Sequence, residues 1–188
     1  NLIASFNEAV TPTTRFAVHM AEGYAGNHVD EEFDSFAGRD PRPNRHAGVS
    51  LLHDGTALLI HCVPLPEAQL VEAFETDSKI AWSPSSNMVL YGVTAPIQRI
   101  LELGIVTAIA PDWTISGTDE MLSEMRYGLQ YGLDNAIAEL TTERIWRMAT
   151  SDAKESPLGA ASPITTTVPP PFGGGRGVTS STTETVST

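Results

Sequence analysis

The sequence predicts an α/β fold made of repeated strand–helix units, on three observations. Four short apolar runs, residues 15–19 (RFAVH), 56–62 (TALLIHC), 80–83 (IAWS) and 106–110 (VTAIA), are continuous rather than alternating, the pattern of parallel strands covered on both faces. Helical patterns lie between and after these runs, with apolar residues three and four apart. Strand then helix, four times over, makes βα units joined by right-handed crossovers. Four units are too few for a closed (β/α)8 barrel, which usually takes about 250 residues. The fold is therefore either an open α/β sheet or half of a barrel, and periodicity does not separate the two.

The elements follow in order. Residues 66–74 place Ala68, Leu70, Val71 and Phe74 on one side of a helix. Residues 95–103 repeat Ile97, Ile100, Leu101 and Leu103 and stop at Gly104, a natural C-terminal cap. Residues 118–131 open with polar Thr118 and Asp119 and keep Met121, Leu122 and Met125 together. Residues 141–149 start at a Thr141/Thr142 cap and carry Ile145, Trp146 and Met148. The long stretch 23–55 holds an acidic segment at 30–32 and a basic one at 39–45; a lid and a solvated surface both fit it.

Composition changes near residue 156. Of the 27 residues from 162 to 188, 12 are Ser or Thr, four Pro and four Gly, too little apolar surface to offset the entropy of ordering. The expected organisation is one ordered unit over 1–155 and a disordered tail over 156–188. A stalk with Pro169, Pro170 and Pro171 in polyproline geometry is the rival reading.

Lys and Arg number 11 against 23 Asp and Glu, a formal charge of −12, which argues against nucleic acid as a partner. No uncharged apolar run approaches the roughly 20 residues of a membrane span. The single Cys62 excludes an internal disulfide framework and fits a reducing compartment such as the cytoplasm. Asn1 stands first, without Met and without a basic and then apolar leader, so the chain is expected to begin inside a longer protein.

Polar residues at strand ends carry the chemistry. His19 closes the first apolar run, His61 lies at the end of the second, and Asp112 follows the fourth after Ala110 and Pro111. In parallel βα architectures the C-terminal strand ends meet on one face, where ligand sites are built. Two imidazoles and a carboxylate there suit Zn²⁺ or Fe²⁺. Glu22, three residues past His19, sits where the chain leaves the strand and is placed to shuttle protons. A lone histidine at a strand end is more often a hydrogen-bonded structural residue; four polar groups at the same end of successive strands favour the metal reading.

At these residues the chain resembles the metal-dependent amidohydrolase superfamily, in its cytosine deaminase-like and chlorohydrolase branch. The segments that carry the resemblance are VHMAEG (18–23), LLIHCVPL (58–65), WSPSSNMVLYG (82–92) and PDWTISGTDEMLSEMR (111–126). They match, in order, barrel strands five to eight of that family, over residues 16–150. The resemblance implies a partial (β/α)8 TIM barrel and a hydrolase acting on a non-peptide carbon–nitrogen bond, or a carbon–chlorine bond, of a small heterocyclic amine or amide. It assigns His19 as the strand-five metal ligand and Glu22 as the carboxylate moving protons between water and substrate. His61 becomes the strand-six histidine that touches the activated water or the substrate. Asp112 becomes the strand-eight ligand that also takes a proton from that water. The cofactor implied is a divalent metal, Zn²⁺ before Fe²⁺.

Departures from the family pattern shape the expected activity. The first-strand His-x-His pair has no match, since His19, His28, His46, His53 and His61 are never two apart; those ligands are expected upstream of Asn1. Where the family usually has Gly and then Thr or Ser before the aspartate, this chain has Ala110 and Pro111. The closing helix runs into the Ser/Thr/Pro tail instead of a Gly-rich turn. The chain alone is therefore expected to bind metal weakly and to turn over little. The alternative is a non-catalytic half-barrel module that pairs with itself or another chain, a possible homo-oligomer through its open sheet edges. A third option is an open sheet whose site does not involve metals. Of the remaining residues, Trp82 is expected to pack beneath the mouth. Ser85, Ser86 and Asn87 are expected to hold a turn through backbone bonds, and Glu124 with Arg126 to form a surface or helix-packing pair. Trp113 fits a pocket wall or the core equally well.

Overall fold

The computed structural model describes residues 2–11, 13–26, 28–29, 31–39 and 48–155. The predicted tail over 156–188 lies outside the described residues, as does most of the basic segment at 39–45. Among the described residues the elements are α1 (Leu2–Ala9), β1 (Phe16–Met20), α2 (Glu31–Phe36), β2 (Ala57–His61), α3 (Glu67–Glu75), β3 (Lys79–Trp82), α4 (Pro84–Tyr91), α5 (Ile97–Glu102), β4 (Thr107–Ile109), α6 (Met121–Asp134), α7 (Thr142–Ala149) and α8 (Ser151–Glu155).

The four strands form one sheet in the order β1-β2-β3-β4, every pair parallel. The α/β class and the parallel pairing are thus as the apolar runs indicated. Coverage of both faces holds for β2 to β4 and fails only at β1. The main core cluster takes alternate residues, Met20, Ala57, Leu59, Ile80, Trp82 and Ile109, while their neighbours Leu58, Ala81 and Ala108 lie outside it. The register places Ala17, Leu58 and Lys79 in one row and His19, Ile60 and Ala81 in the next. On this second face Leu58, Ala81 and Ala108 are buried as expected, and only β1 is open, at exposed Ala17 and His19.

Helix ends follow local chemistry. Thr141 accepts a hydrogen bond from the Arg144 N–H and caps α7. Beyond α5, Gly104 takes φ +80°, and the Ile105 N–H reaches back to the Ile100 carbonyl, a left-handed helix stop. Ser85, Ser86 and Asn87, expected in a turn, lie inside the helix α4. Pro84 stands at the first position of α4, where its missing N–H costs nothing and its fixed φ suits the helix.

Three expected helix faces are also revised. On α6 the buried positions are Glu124, Gly128 and Gly132, while Leu122 is exposed. Phe74 of α3 and Trp146 of α7 face solvent, whereas Leu70, Ile145 and Met148 are buried. The stretch 23–55 is anchored by α2. Phe33 is fully buried in the core, and Glu32 Oε2 accepts from the Ala21 N–H at 2.8 Å. Among the described residues, no helix is long and apolar enough to cross a membrane.

Candidate metal centre

The C-terminal ends of β1 and β2 lie side by side, with His19 opposite Ile60 and Met20 opposite His61. In a regular strand His61 would point away from the face that His19 occupies. It does not, because the backbone turns at that residue. His61 has φ +74°, and the Cys62 N–H bonds back to the Ile60 carbonyl at 3.1 Å. This is a γ-turn of the rarer kind with positive φ, a strained geometry. Pairing with β1 then resumes, the Cys62 N–H reaching the Met20 carbonyl and the Val63 N–H the Ala21 carbonyl. The turn brings the fully buried His61 ring to 4.9 Å from the His19 ring, centroid to centroid.

Glu22 completes a tight group. Its Oε2 lies 2.8 Å from His19 Nδ1 and 3.5 Å from His61 Nε2, and the two imidazole nitrogens are 3.1 Å apart. A carboxylate only accepts, so His19 Nδ1 is the donor to Glu22. Glu22 Oε1 accepts in turn from the Tyr91 hydroxyl at 3.1 Å. Burial, then the charge of Glu22 and the hydrogen bond to it, push the Tyr91 phenol up to about 12, so it stays a donor at neutral pH.

Asp112 follows β4 at the same end of the sheet but falls outside that group. Its Oδ2 accepts from Ser86 Oγ at 2.7 Å. Burial raises its pKa, while the Ser86 hydroxyl, the Trp113 N–H and the nearby His61 and His19 lower it. The net result lies below the ordinary carboxylate value, so Asp112 is an anion at neutral pH. Of the four residues indicated by sequence, the structure therefore gathers His19, Glu22 and His61, with ligand atoms all within 4.8 Å of one another. Asp112 is held separately by α4.

The donor chemistry suits a divalent cation. Zn²⁺ bound by His nitrogen and carboxylate oxygen at about 2.0–2.2 Å puts its tetrahedral ligands roughly 3.3 Å apart. The three separations in this group bracket that value, so small side-chain rotations would suffice to admit an ion.

Several residues that matter here were not singled out for these roles in the sequence. Asn87 and Tyr91 stand four apart on α4 and so share a face; Asn87 Oδ1 lies 2.9 Å from His61 Nδ1, and Tyr91 reaches Glu22. That spacing was a readable signal. The expected backbone-bonding turn at 85–87 is instead a set of side-chain links: Ser85 to Glu124, Ser86 to Asp112 and Asn87 to His61. Glu124 is fully buried, not a surface residue, and accepts from the Ser85 N–H, the Ser85 hydroxyl and the Thr118 hydroxyl. Trp82 is buried as expected, while Trp113 is 66% exposed and not part of the core.

No protein-family model matches the chain. A 5-methylthioadenosine/S-adenosylhomocysteine deaminase of Bacillus cereus is 29% identical over 150 residues, covering 78% of this chain and 33% of the relative. One of the same name from Desulforamulus reducens is 34% identical over 87 residues, 46% of this chain and 20% of the relative. The Escherichia coli guanine deaminase structure superposes with a TM-score of 0.63 at 21% identity, covering 84% of this chain and 35% of that one. A zinc-bound adenosine deaminase from Xanthomonas campestris gives 0.60 at 19% identity, over 77% and 33% of the two chains. The chain resembles the amidohydrolase superfamily. The superpositions extend this amidohydrolase likeness to the fold of the described residues. The chain spans a fifth to a third of the length of these curated relatives.

Proposed function

We propose that this chain carries part of the active site of an amidohydrolase-type hydrolase that cleaves a carbon–nitrogen bond of a small heterocyclic amine or amide. The four strands then stand for strands five to eight of a (β/α)8 barrel. The observation that carries this reading is the gathering of His19, Glu22 and His61 at the ends of two adjacent parallel strands. The names of the relatives, all deaminases, support the bond class. Their shared purine chemistry supports a flat heterocycle as substrate.

His19 would hold the cation with His61 and Glu22 beside it; Asp112, the second ligand that the resemblance implies, stands outside this group on Ser86 and would have to turn from it to join them. A bound divalent ion lowers the pKa of a coordinated water from 15.7 toward about 7. The residues of this chain do the rest. Glu22, whose Oε2 sits between the two imidazoles, would carry a proton to the departing amine. With such an ion bound, Asp112, held by Ser86, would be the acceptor for a proton from the activated water. His61 presents a ring nitrogen to the substrate, and Tyr91 keeps the Glu22 carboxylate aimed at the rim.

Because the His-x-His pair has no match among the five histidines, the chain by itself binds zinc weakly and turns over poorly. Titrating the 188-residue chain with Zn²⁺, and assaying it against purine, pyrimidine and triazine amines, tests both statements. Weak binding abolished by His19→Ala is expected. Equal zinc uptake by the His19→Ala variant would remove the site, and turnover at the rate of ordinary enzymes would remove the incomplete-ligand reading.

A second reading, a non-catalytic module that associates with another copy, draws on the surface. Trp113 is 66% and Ile115 74% exposed, and β1 and β4 are edge strands among the described residues. Size-exclusion chromatography separates the two, since a clean monomer that still binds zinc leaves only the first.

A further inference from the structure

We propose that Thr94 and Asn87 are positioning residues that fix the tautomer of His61, so that its Nε2 lone pair faces the rim. The inference rests on His61 being part of the site, and it adds a buried relay behind it. Trp82 Nε1 lies 2.8 Å from Thr94 Oγ1, and Asn87 Nδ2 lies 3.0 Å from the same oxygen. Asn87 Oδ1 then meets His61 Nδ1 at 2.9 Å. Trp82, Asn87 and His61 are fully buried, and Thr94 is buried as well, so these groups depend on one another for hydrogen bonds.

The direction of each bond follows from donor and acceptor counting. The indole N–H only donates, so the Thr94 hydroxyl accepts from Trp82. A second donor, the Asn87 amide, on the same oxygen leaves the Asn87 carbonyl for His61, whose Nδ1 must then carry the proton. The opposite assignment turns the amide over, with the Thr94 hydroxyl donating to it, and moves the His61 proton to Nε2. There it would point at His19 Nδ1, 3.1 Å away, which already carries the proton donated to Glu22 and has no lone pair left, while Glu22 Oε2 at 3.5 Å is beyond ordinary hydrogen-bond length. A protonated Nδ1 cannot accept, so an Nε2–H on His61 would be left without a good partner. The relay behind His61 and the group in front of it thus agree on Nδ1–H.

The consequence is a ring whose rim-facing nitrogen is an acceptor before any ligand arrives, ready to take a hydrogen bond or join a cation. Removing the Thr94 hydroxyl frees the Asn87 amide to turn over, and His61 then has no fixed tautomer. Nitrogen-15 NMR of the histidine-labelled full chain reads this directly, because protonated and bare ring nitrogens resonate far apart. The His61 signals are identified by their disappearance in His61→Asn.

The wild type is expected to show Nδ1 protonated and Nε2 bare. Thr94→Val should draw the two signals toward each other or exchange them, and Thr94→Ser should restore the wild-type pattern. A wild-type proton on Nε2, or an unchanged pattern in Thr94→Val, overturns the proposal. If Thr94→Val fails to fold, judged by loss of the resolved Trp82 indole signal, the wild type and Thr94→Ser still decide, since a proton on Nε2 in either overturns it. No zinc is added, so a chain that binds no metal yet responds to Thr94→Val keeps the relay and loses only the metal reading.

Discussion

Replacing Glu124 with alanine is expected to destabilise the chain by about 3 kcal/mol. The carboxylate has no exposed surface and serves three donors: the Ser85 N–H at 3.0 Å, the Ser85 hydroxyl and the Thr118 hydroxyl. The two hydroxyls can rotate to other acceptors; the N–H cannot. One orphaned buried donor costs about 1–3 kcal/mol, and the void left by the removed atoms adds about 1–2 kcal/mol. Release of a buried charge offsets part of that sum. Glu124→Gln keeps an oxygen for the N–H and offers its amide to both hydroxyls, so it should cost only about 1 kcal/mol. Urea unfolding followed by Trp fluorescence measures both, since Trp82 is the fully buried indole while Trp113 and Trp146 are exposed. An alanine variant within about 0.5 kcal/mol of wild type, the range of ordinary surface changes, would refute the reasoning. So would a glutamine variant as costly as alanine, which would assign the effect to charge instead of to the orphaned N–H.

Three further outcomes are expected. Glu67 lies below the usual carboxylate range because of its hydrogen bonds and attraction to Arg99, which also bridges to Glu102. A depressed carboxylate contributes stability above its unfolded pKa of about 4.3 and loses it as pH falls through the folded value. Glu67→Gln should therefore lower the urea midpoint at pH 7 and leave it unchanged at about pH 2; an equal effect at both would disprove the linkage. Gly132→Ala would bring a new Cβ to 2.6 Å from Leu140 Cβ, the root of that side chain, so overpacking of about 1–3 kcal/mol outweighs a helix gain of about 1 kcal/mol. Gly128→Ala meets first the tip of Ile109 at 2.8 Å and should be milder; the reverse order in thermal unfolding counts against this packing. Cys62 is fully buried, and burial pushes its thiol pKa up, so a thiol reagent at about pH 8 should label it only in denaturant. Rapid labelling of the native chain would contradict that burial.

The strands were legible because continuous apolar runs in a parallel sheet leave a plain signature; the observed β1 to β4 fall within a residue or two of those runs. The helices were legible only where the buried side is built from large apolar residues. On α6 it is built from Glu124, Gly128 and Gly132, which hydrophobic spacing passes over. The turn expected at 85–87 is helical instead, because the proline before it, Pro84, opens a helix as readily as a turn. At the site, His19, Glu22, His61 and Asp112 could be picked out as polar residues following apolar runs. The partners that orient them could not. Tyr91 lies 69 residues from Glu22, and Asn87 lies 26 from His61. Such pairings exist only once the strands are in register. Nor does composition reveal that Thr94 receives two donors at once, because a threonine in a loop has many uses.

The bend that carries His61 into the cluster has an energetic side. A side chain at φ +74° gives up roughly 1–3 kcal/mol that a glycine there would keep. Whatever holds the imidazole in place must offset that handicap. A glycine substitution at position 61 would relax the main chain while deleting the ring, so its net effect on folding should be smaller than that of alanine, which deletes the ring and keeps the penalty. The difference between those two variants is a direct gauge of how much tension the chain tolerates in order to aim one histidine.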